Sequence, residues 1–413
     1  MKKLCCIVLC FLLSLNMLSV FAVAETLSVN DVEEMLQADD VDEEEVFLAV
    51  NTALQVDVKA KACILMDANT GTVLMAKNED EQLFPASVTK IMTLLLVCEA
   101  IDEGKLTFEQ TLTCSEEAAS KGGSQIWLEP GEAMSVRDLF KAAAVYSAND
   151  ACAVLSEAVA GSETAFVAMM NDRAKQLGME NTNFDNCSGL DDDTDTHKTT
   201  ARDIAIMSRE LLRHEYITQY STIWMDSVRN GETQLVNTNR LIRYYSGATG
   251  LKTGTTSKAG CCISATAVRD GLHLIAVVLG ADNSNDRFNS AKALLDWGFA
   301  NYEIYTPVTD DTLLTDVTVL HGVQEKVELY SAECQQLLLN KGAGQRVEVH
   351  YEIPESVDAP VYAGQELGKI VFTASGVTLA EYGLYAQNDV EKITFFTAWV
   401  KLFRSFVKNV KEI

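Results

Sequence analysis

An α+β fold is the class this sequence predicts, followed by a small β-rich domain and a terminal amphipathic helix. Three observations carry the prediction. The hydrophobic patterns run in the order two strands, a block of helices, then strands closed by a helix, so both ends of the main domain should meet in one antiparallel sheet. From about residue 304, short alternating segments replace the helical ones. From Glu391, apolar residues recur at helical spacing among lysines and arginines. With 413 residues, 48% of them hydrophobic, the chain can build one large core and a smaller companion.

The N-terminus is read apart from the fold. Lys2 and Lys3 precede the apolar run CCIVLCFLLSLNMLSVF, and Ala22-Val23-Ala24 offers a small-x-small cleavage site before Glu25. That pattern predicts a secretory signal over residues 1–24. A retained membrane anchor is the other reading, since the run nearly reaches spanning length. Either way the body of the protein is exported. Residues 25–58 form an acidic leader, densest in NDVEEMLQADDVDEEEV, with no chemistry assigned. The formal net charge of −26 excludes nucleic acid as a natural partner. Cys63, Cys98, Cys114, Cys152, Cys187, Cys261, Cys262 and Cys334 follow the signal. Export favours pairing, yet their irregular scatter through apolar runs predicts buried free thiols. No Cys-x-x-Cys or histidine cluster points to a metal.

The main domain spans 59–303. KACILMDANTGTVLMAK reads as a hairpin turning at Asn69-Thr70-Gly71, and SVTKIMTLLLVCEAI as a buried helix with Ser87 in its first turn. Helical patterns continue through SVRDLFKAAAV, NDACAVLSEAVA, TAFVAMMNDRAKQLG and ARDIAIMSRELL. TQLVNT, TGLKTG, CCISATAVRD and HLIAVVLGA then read as antiparallel strands of one sheet, and RFNSAKALLDWGFANY as the closing helix. The β-rich domain spans 304–388, with DVTVL, KVELY, RVEVHYEI and KIVFT as strands. It holds three of the chain's five prolines, Pro307, Pro354 and Pro360. Residues 389–413 form the amphipathic helix, apolar through Ile393, Phe396, Trp399, Val400, Phe403, Val407 and Val410 and basic through Lys401, Arg404, Lys408 and Lys411. It could pack on its own protein or lie in a lipid interface. Its terminal position and basic charge favour the membrane surface.

For chemistry, the five histidines are scattered and Gly-x-Ser-x-Gly is absent, so a Ser-His-Asp hydrolase is not indicated. His197, in DDDTDTHK, is polar enough in context to sit at a site rim. FPASVTKIMT places Ser87 and Lys90 three residues apart on one helix face, where an amine can reach a hydroxyl. The spacing alone is weak, because Ser405 and Lys408 repeat it. A lysine acts as a base only when burial and a second cation keep it neutral, and a polar relay must hold the geometry. YSANDA supplies Ser147 and Asn149 for the relay, although Asn149 could simply cap the following helix and Ser28-Val29-Asn30 matches the same pattern. GLKTGTTSKAG supplies Lys252, Thr253 and Gly254 at a strand end. Lys-Thr-Gly occurs once.

Ser-x-x-Lys, Ser-x-Asn and Lys-Thr-Gly in this order resemble the set found in penicillin-binding proteins and class A β-lactamases. Together with DANTGTVLMAKNED, GGSQIWLEPGE, NDRAKQLGMENTNF and SGLDDD, they closely resemble the D-alanyl-D-alanine carboxypeptidases, the low-molecular-weight penicillin-binding proteins. The resemblance implies a β-lactamase/transpeptidase-like domain, with Ser87 attacking the bond between the terminal D-alanines of a peptidoglycan stem peptide. It implies Lys90 as base, Ser147 as proton relay, and Asn149 as orienter of Lys90 and of the substrate amide. Lys252 and Thr253 would take the substrate carboxylate, and the backbone N–H groups of Ser87 and Thr255 would form the oxyanion hole. No metal or organic cofactor is implied. β-Lactams should acylate Ser87, and the enzyme should work at the outer face of the cytoplasmic membrane. Two alternatives stay open. A class A-like β-lactamase would carry Glu-x-x-x-Asn, but Glu180 is followed four residues on by Phe184. A non-catalytic wall-binding protein would have no use for Lys90.

Overall fold

The computed structural model describes residues 56–192, 194–309 and 314–400. The signal segment, most of the acidic leader, and the decoy pair Ser405 and Lys408 lie outside the described residues.

Five antiparallel strands form the main sheet: β1 (Ala62–Asp67), β2 (Val73–Lys77), β3 (Ala248–Thr256), β4 (Gly260–Arg269) and β5 (Leu272–Ala281). Their order is β2-β1-β5-β4-β3, so the first strand of the domain pairs with its last, Ile64 opposite Val277. All six residues of β1 are buried, which means both faces of the sheet are covered. Alternation sorts the faces. Ile64, Met66, Ile275 and Val277 join the large helical core. Leu65 and Leu274 instead contact the closing helix, where an added Cβ on Gly298 would meet both side chains.

The helical part lies between β2 and β3 in sequence. Its main helices are α1 (Lys90–Asp102), α2 (Val136–Lys141), α3 (Asn149–Ala160), α4 (Glu163–Gln176) and α5 (Ala201–Leu212), with α6 (Ser284–Asn301) closing the sheet. α1 is buried nearly all round, as its unbroken apolar run requires. Caps follow sequence chemistry: Ser135, Ser162 and Thr200 each accept a backbone N–H at the start of α2, α4 and α5.

One expectation fails. The strand Thr233–Val236 does not join the main sheet. It pairs with Met225–Val228 in a separate ribbon. Asn237 Nδ2 donates to the carbonyls of Ser221 (3.0 Å) and Ile223 (2.8 Å), and Thr238 N–H to that of Val145 (3.2 Å), which ties this segment to the helical part. β3 is thus the edge strand of the main sheet, and Asn239 Nδ2 donates to its Gly250 carbonyl at 2.8 Å.

The second domain is all-β, as its alternating patterns predict. β6 (Tyr302–Tyr305) pairs with β10 (Leu337–Asn340). β7 (Val317–Leu320), β8 (Lys326–Val327) and β12 (Ser356–Asp358) make one sheet. β9 (Leu329–Ser331), β11 (Val347–Glu352), β13 (Glu366–Ala374) and β14 (Val377–Ala386) make another. KVELY, expected as one strand, crosses between the two sheets. Val327 and Leu329 both point into the core they share with Ile370, Phe372 and Leu384. Beyond it, residues 395–400 are helical, with Phe395 91% exposed and Phe396 and Trp399 also open to solvent. Among the described residues no single helix is long and apolar enough to cross a membrane. The eight described cysteines are all free, and seven are buried.

Candidate active site

Ser87 lies on a single 3₁₀ turn, Ala86–Thr89, that leads directly into α1. Lys90 is the first residue of the α-helix, and its Nζ donates to Ser87 Oγ at 3.0 Å. A second bond, 2.6 Å to the Ser188 carbonyl, fixes the amine from the other side. The turn is held under constraint. Ala86 sits at φ +49°, and Gly189 packs so closely on it that a Cβ there would lie 1.9 Å from the Ala86 oxygen. The loop containing Ser-Gly-Leu-Asp is therefore the back wall of the serine turn. Thr93 Oγ1 bonds the Cys187 carbonyl in the same seam.

His197 is fully buried behind this turn and is not on a rim. Its Nδ1 accepts the Asp185 N–H (3.0 Å), so the proton sits on Nε2 and is donated to Thr89 Oγ1 at 2.8 Å. Burial lowers its pKa to about 4, so the ring is neutral.

Ser147 and Asn149 enter from the start of α3. A π-helical segment, Ala142–Tyr146, ends in Ser147 at φ +70°, which turns its side chain out of the helical path. Asn149 is not the cap of α3. Ala148 holds that position without a side-chain bond, while Asn149 Nδ2 donates to the Gly122 carbonyl at 2.7 Å. Ser147 Oγ and Asn149 Oδ1 are both buried without a hydrogen-bond partner among the described residues. Both atoms are therefore open to a bond from a substrate or a water.

β3 brings in the third motif. Gly254 lies flat against the serine turn: a Cβ would come within 2.8 Å of the Ser87 nitrogen and 2.8 Å of the Pro85 oxygen. Only glycine permits that approach. Lys252 Nζ is buried and donates to the Thr253 carbonyl (3.0 Å), while Thr253 Oγ1 donates to Thr238 Oγ1 (2.7 Å). Thr255, the residue after Gly254, is exposed. Burial depresses the pKa of Lys90, with Cys152, Cys187 and Asp150 offsetting part of the effect. Burial depresses Lys252 further, followed by the charge of Lys90. The repulsion is mutual, so the two amines hold a second proton poorly. Ser87, Lys90, Lys252, Thr253, Gly254 and Thr255 thus meet at the serine turn, while Ser147 and Asn149 stand at the start of α3, which packs on α1.

Sequence reasoning missed three supporting residues. Arg287, on α6, is buried and donates to the Gly254 carbonyl (3.1 Å) and Thr255 Oγ1 (3.0 Å), with no carboxylate partner among the described residues. In RFNSAKALL it looks like an ordinary surface arginine. Asp150 accepts the N–H groups of Ile126, Leu128 and Ala151, fixing the loop that Asn149 also grips. Asp191 accepts from Thr256 Oγ1, linking the back-wall loop to the end of β3. Cys152 lies near both lysines, but burial pushes its thiol up to about 11, far from a reactive thiolate.

Residues 49–283 match the family model described as D-alanyl-D-alanine carboxypeptidase, peptidase family S11. The chain belongs to that family. Residues 302–392 match the C-terminal domain of penicillin-binding protein 5. The carboxypeptidase DacF of Bacillus subtilis is 41% identical over 343 residues, covering 82% of this chain and 88% of DacF. The crystal structure of penicillin-binding protein 5 from Haemophilus influenzae superposes with a TM-score of 0.69 at 31% identity, covering 81% of this chain and 98% of that one. Penicillin-binding protein D2 of Listeria monocytogenes, solved in an ampicillin-bound form, matches 59% of this chain and 99% of its own at 32% identity and a TM-score of 0.53. As an S11 carboxypeptidase, the chain is a serine peptidase whose fold is the expected α+β domain followed by an all-β one.

Proposed function

We propose that this S11 carboxypeptidase removes the terminal D-alanine of a stem pentapeptide through an acyl-enzyme on Ser87. The observation that carries the residue assignment is the contact between Lys90 Nζ and Ser87 Oγ at 3.0 Å beside a second buried lysine, Lys252. The substrate carboxylate docks at Lys252, Thr253 and Thr255, with Arg287 adding positive charge from behind the strand. That carboxylate favours the ammonium form of Lys252, whose charge in turn disfavours a proton on Lys90. Neutral Lys90 then takes the Ser87 proton as Oγ attacks the carbonyl. The oxyanion meets the N–H groups of Ser87 and Thr255, which the absence of a side chain on Gly254 brings together. Ser147 Oγ passes the proton to the departing D-alanine, and Asn149 Oδ1 takes the substrate amide N–H. Water then hydrolyses the ester. β-Lactams, which imitate the acyl-D-Ala-D-Ala end, enter by the same attack.

The lactamase reading has less support. It needs a free carboxylate beside the ester, yet Asp150 is saturated by three backbone N–H groups and Glu163 is paired with Lys121 and bonded by the Cys187 N–H. The chain is exported, and its exposed terminal aromatics lie on the outer face of the membrane as an interfacial anchor.

Purified protein incubated with a Lys-D-Ala-D-Ala peptide should release D-alanine, and Ser87→Ala should not. Absence of release from the wild type, alongside fast penicillin turnover, would reverse the assignment in favour of the lactamase.

A further inference from the structure

An open groove of about 590 Å³ begins at Lys121 and Gly122 and is lined by Gln125, Trp127, Glu129 and Glu116. Trp127 is 74% exposed, yet it sits at φ +59°, a conformation a bulky residue keeps only under constraint. The constraint is visible on both sides. Asp150 accepts the N–H groups of Ile126 (3.1 Å) and Leu128 (3.0 Å) that flank it. Arg229 donates to the carbonyls of Ile126 (2.7 Å) and Trp127 (3.1 Å), and is itself held by Glu132 at 2.6 Å. Arg229 and the next residue, Asn230, are also left-handed, at φ +52° and +53°. An indole facing solvent contributes little to packing, so this framework holds the ring out for something else.

We propose that Trp127, with Glu116 and Glu129, forms a subsite for the side-chain ammonium of the diamino acid that precedes the two D-alanines. The inference rests on the carboxypeptidase reading above. Charge selects the ligand. Glu116 and Glu129 have no ion pair among the described residues, whereas Lys121, the one base on the groove, is committed to Glu163 and Glu117. The groove is therefore net negative, which repels the carboxylates of a stem peptide and attracts its amine. Tryptophan is the aromatic ring that best receives a cation on its face. Position agrees as well. The groove starts at Gly122, whose carbonyl is bound by the Asn149 amide, and the residue that fixes Trp127 is the next one, Asp150. The groove thus adjoins the residue assigned to the substrate amide, and the flexible four-carbon stem of a lysine-type side chain would carry its amine along it.

The test compares D-alanine release from Nα-acetyl-Lys-D-Ala-D-Ala with that from the peptide acetylated on both amines. The ratio of the two kcat/KM values is the readout, because it cancels any general loss of activity. The wild type should prefer the free amine by about two- to ten-fold. Trp127→Ala should bring the ratio close to one, and Trp127→Phe should keep part of it. A wild-type ratio near one, or a preference that survives Trp127→Ala, would overturn the subsite. Failure of the wild type to release D-alanine from either peptide would overturn the carboxypeptidase reading itself, and the subsite with it.

Discussion

At the scale of single residues, the site depends on which groups stay uncharged. Lys90 and Lys252 are both held below the usual lysine range, by burial first. Neither shift could be read from FPASVTKIMT or GLKTGTTSKAG, since burial is a property of the packed chain. His197 is the clearer case. Its context of acids suggested a wet rim, whereas the fold places it under the serine turn with Thr89 as hydrogen-bond acceptor. Its pKa of about 4 lies below the usual 6.5. Between these values the unfolded chain binds a proton that the folded chain refuses, so stability falls as pH drops from 6.5 to 4. The loss is on the order of 3 kcal/mol at full development. Urea unfolding followed from pH 7 down to pH 4 should show this decline, and His197→Gln should flatten it. An equally steep decline in the variant would assign the acid sensitivity elsewhere.

At the scale of elements, three segments distant in sequence are pressed together by small residues and buried polar bonds. Gly189 seats the back-wall loop on Ala86, and Gly254 seats β3 on the N–H of Ser87. Gly254→Ala should force the strand away from the turn. A displacement of this kind costs about 100-fold in the rate of acylation by penicillin, with the fold retained by circular dichroism. Unchanged acylation would mean the strand does not help form the oxyanion site. The order of elements was legible because helix and strand periods differ and the main segments are long. Partnership was less legible. TQLVNT has the pattern of a strand, but only the bonds from Asn237 and Thr238 reveal that it serves the helical part. KVELY has one alternating pattern whose two halves belong to different sheets.

At the scale of the whole molecule, an acidic enzyme ends in a basic, aromatic segment. The three motifs were legible because each couples a rare local pattern to a chemical need. Arg287 was not, because α6 reads as a generic amphipathic helix and its value lies in what it reaches across the sheet. The exposed Phe395, Phe396 and Trp399 fit a lipid interface. Truncation after Ile393 keeps the β-domain core residue Val390. The truncated protein should remain folded but stop sedimenting with vesicles containing anionic lipid. Equal sedimentation of both forms would remove the anchor.

The most direct test of Ser87 as the acylated residue is to treat the protein with penicillin, digest it and locate the adduct by mass spectrometry. The expected result is one adduct, on Ser87 in the peptide containing FPASVTK, and none in Ser87→Ala. An adduct on Ser147 or any other residue, or persistence of the adduct in Ser87→Ala, would contradict it.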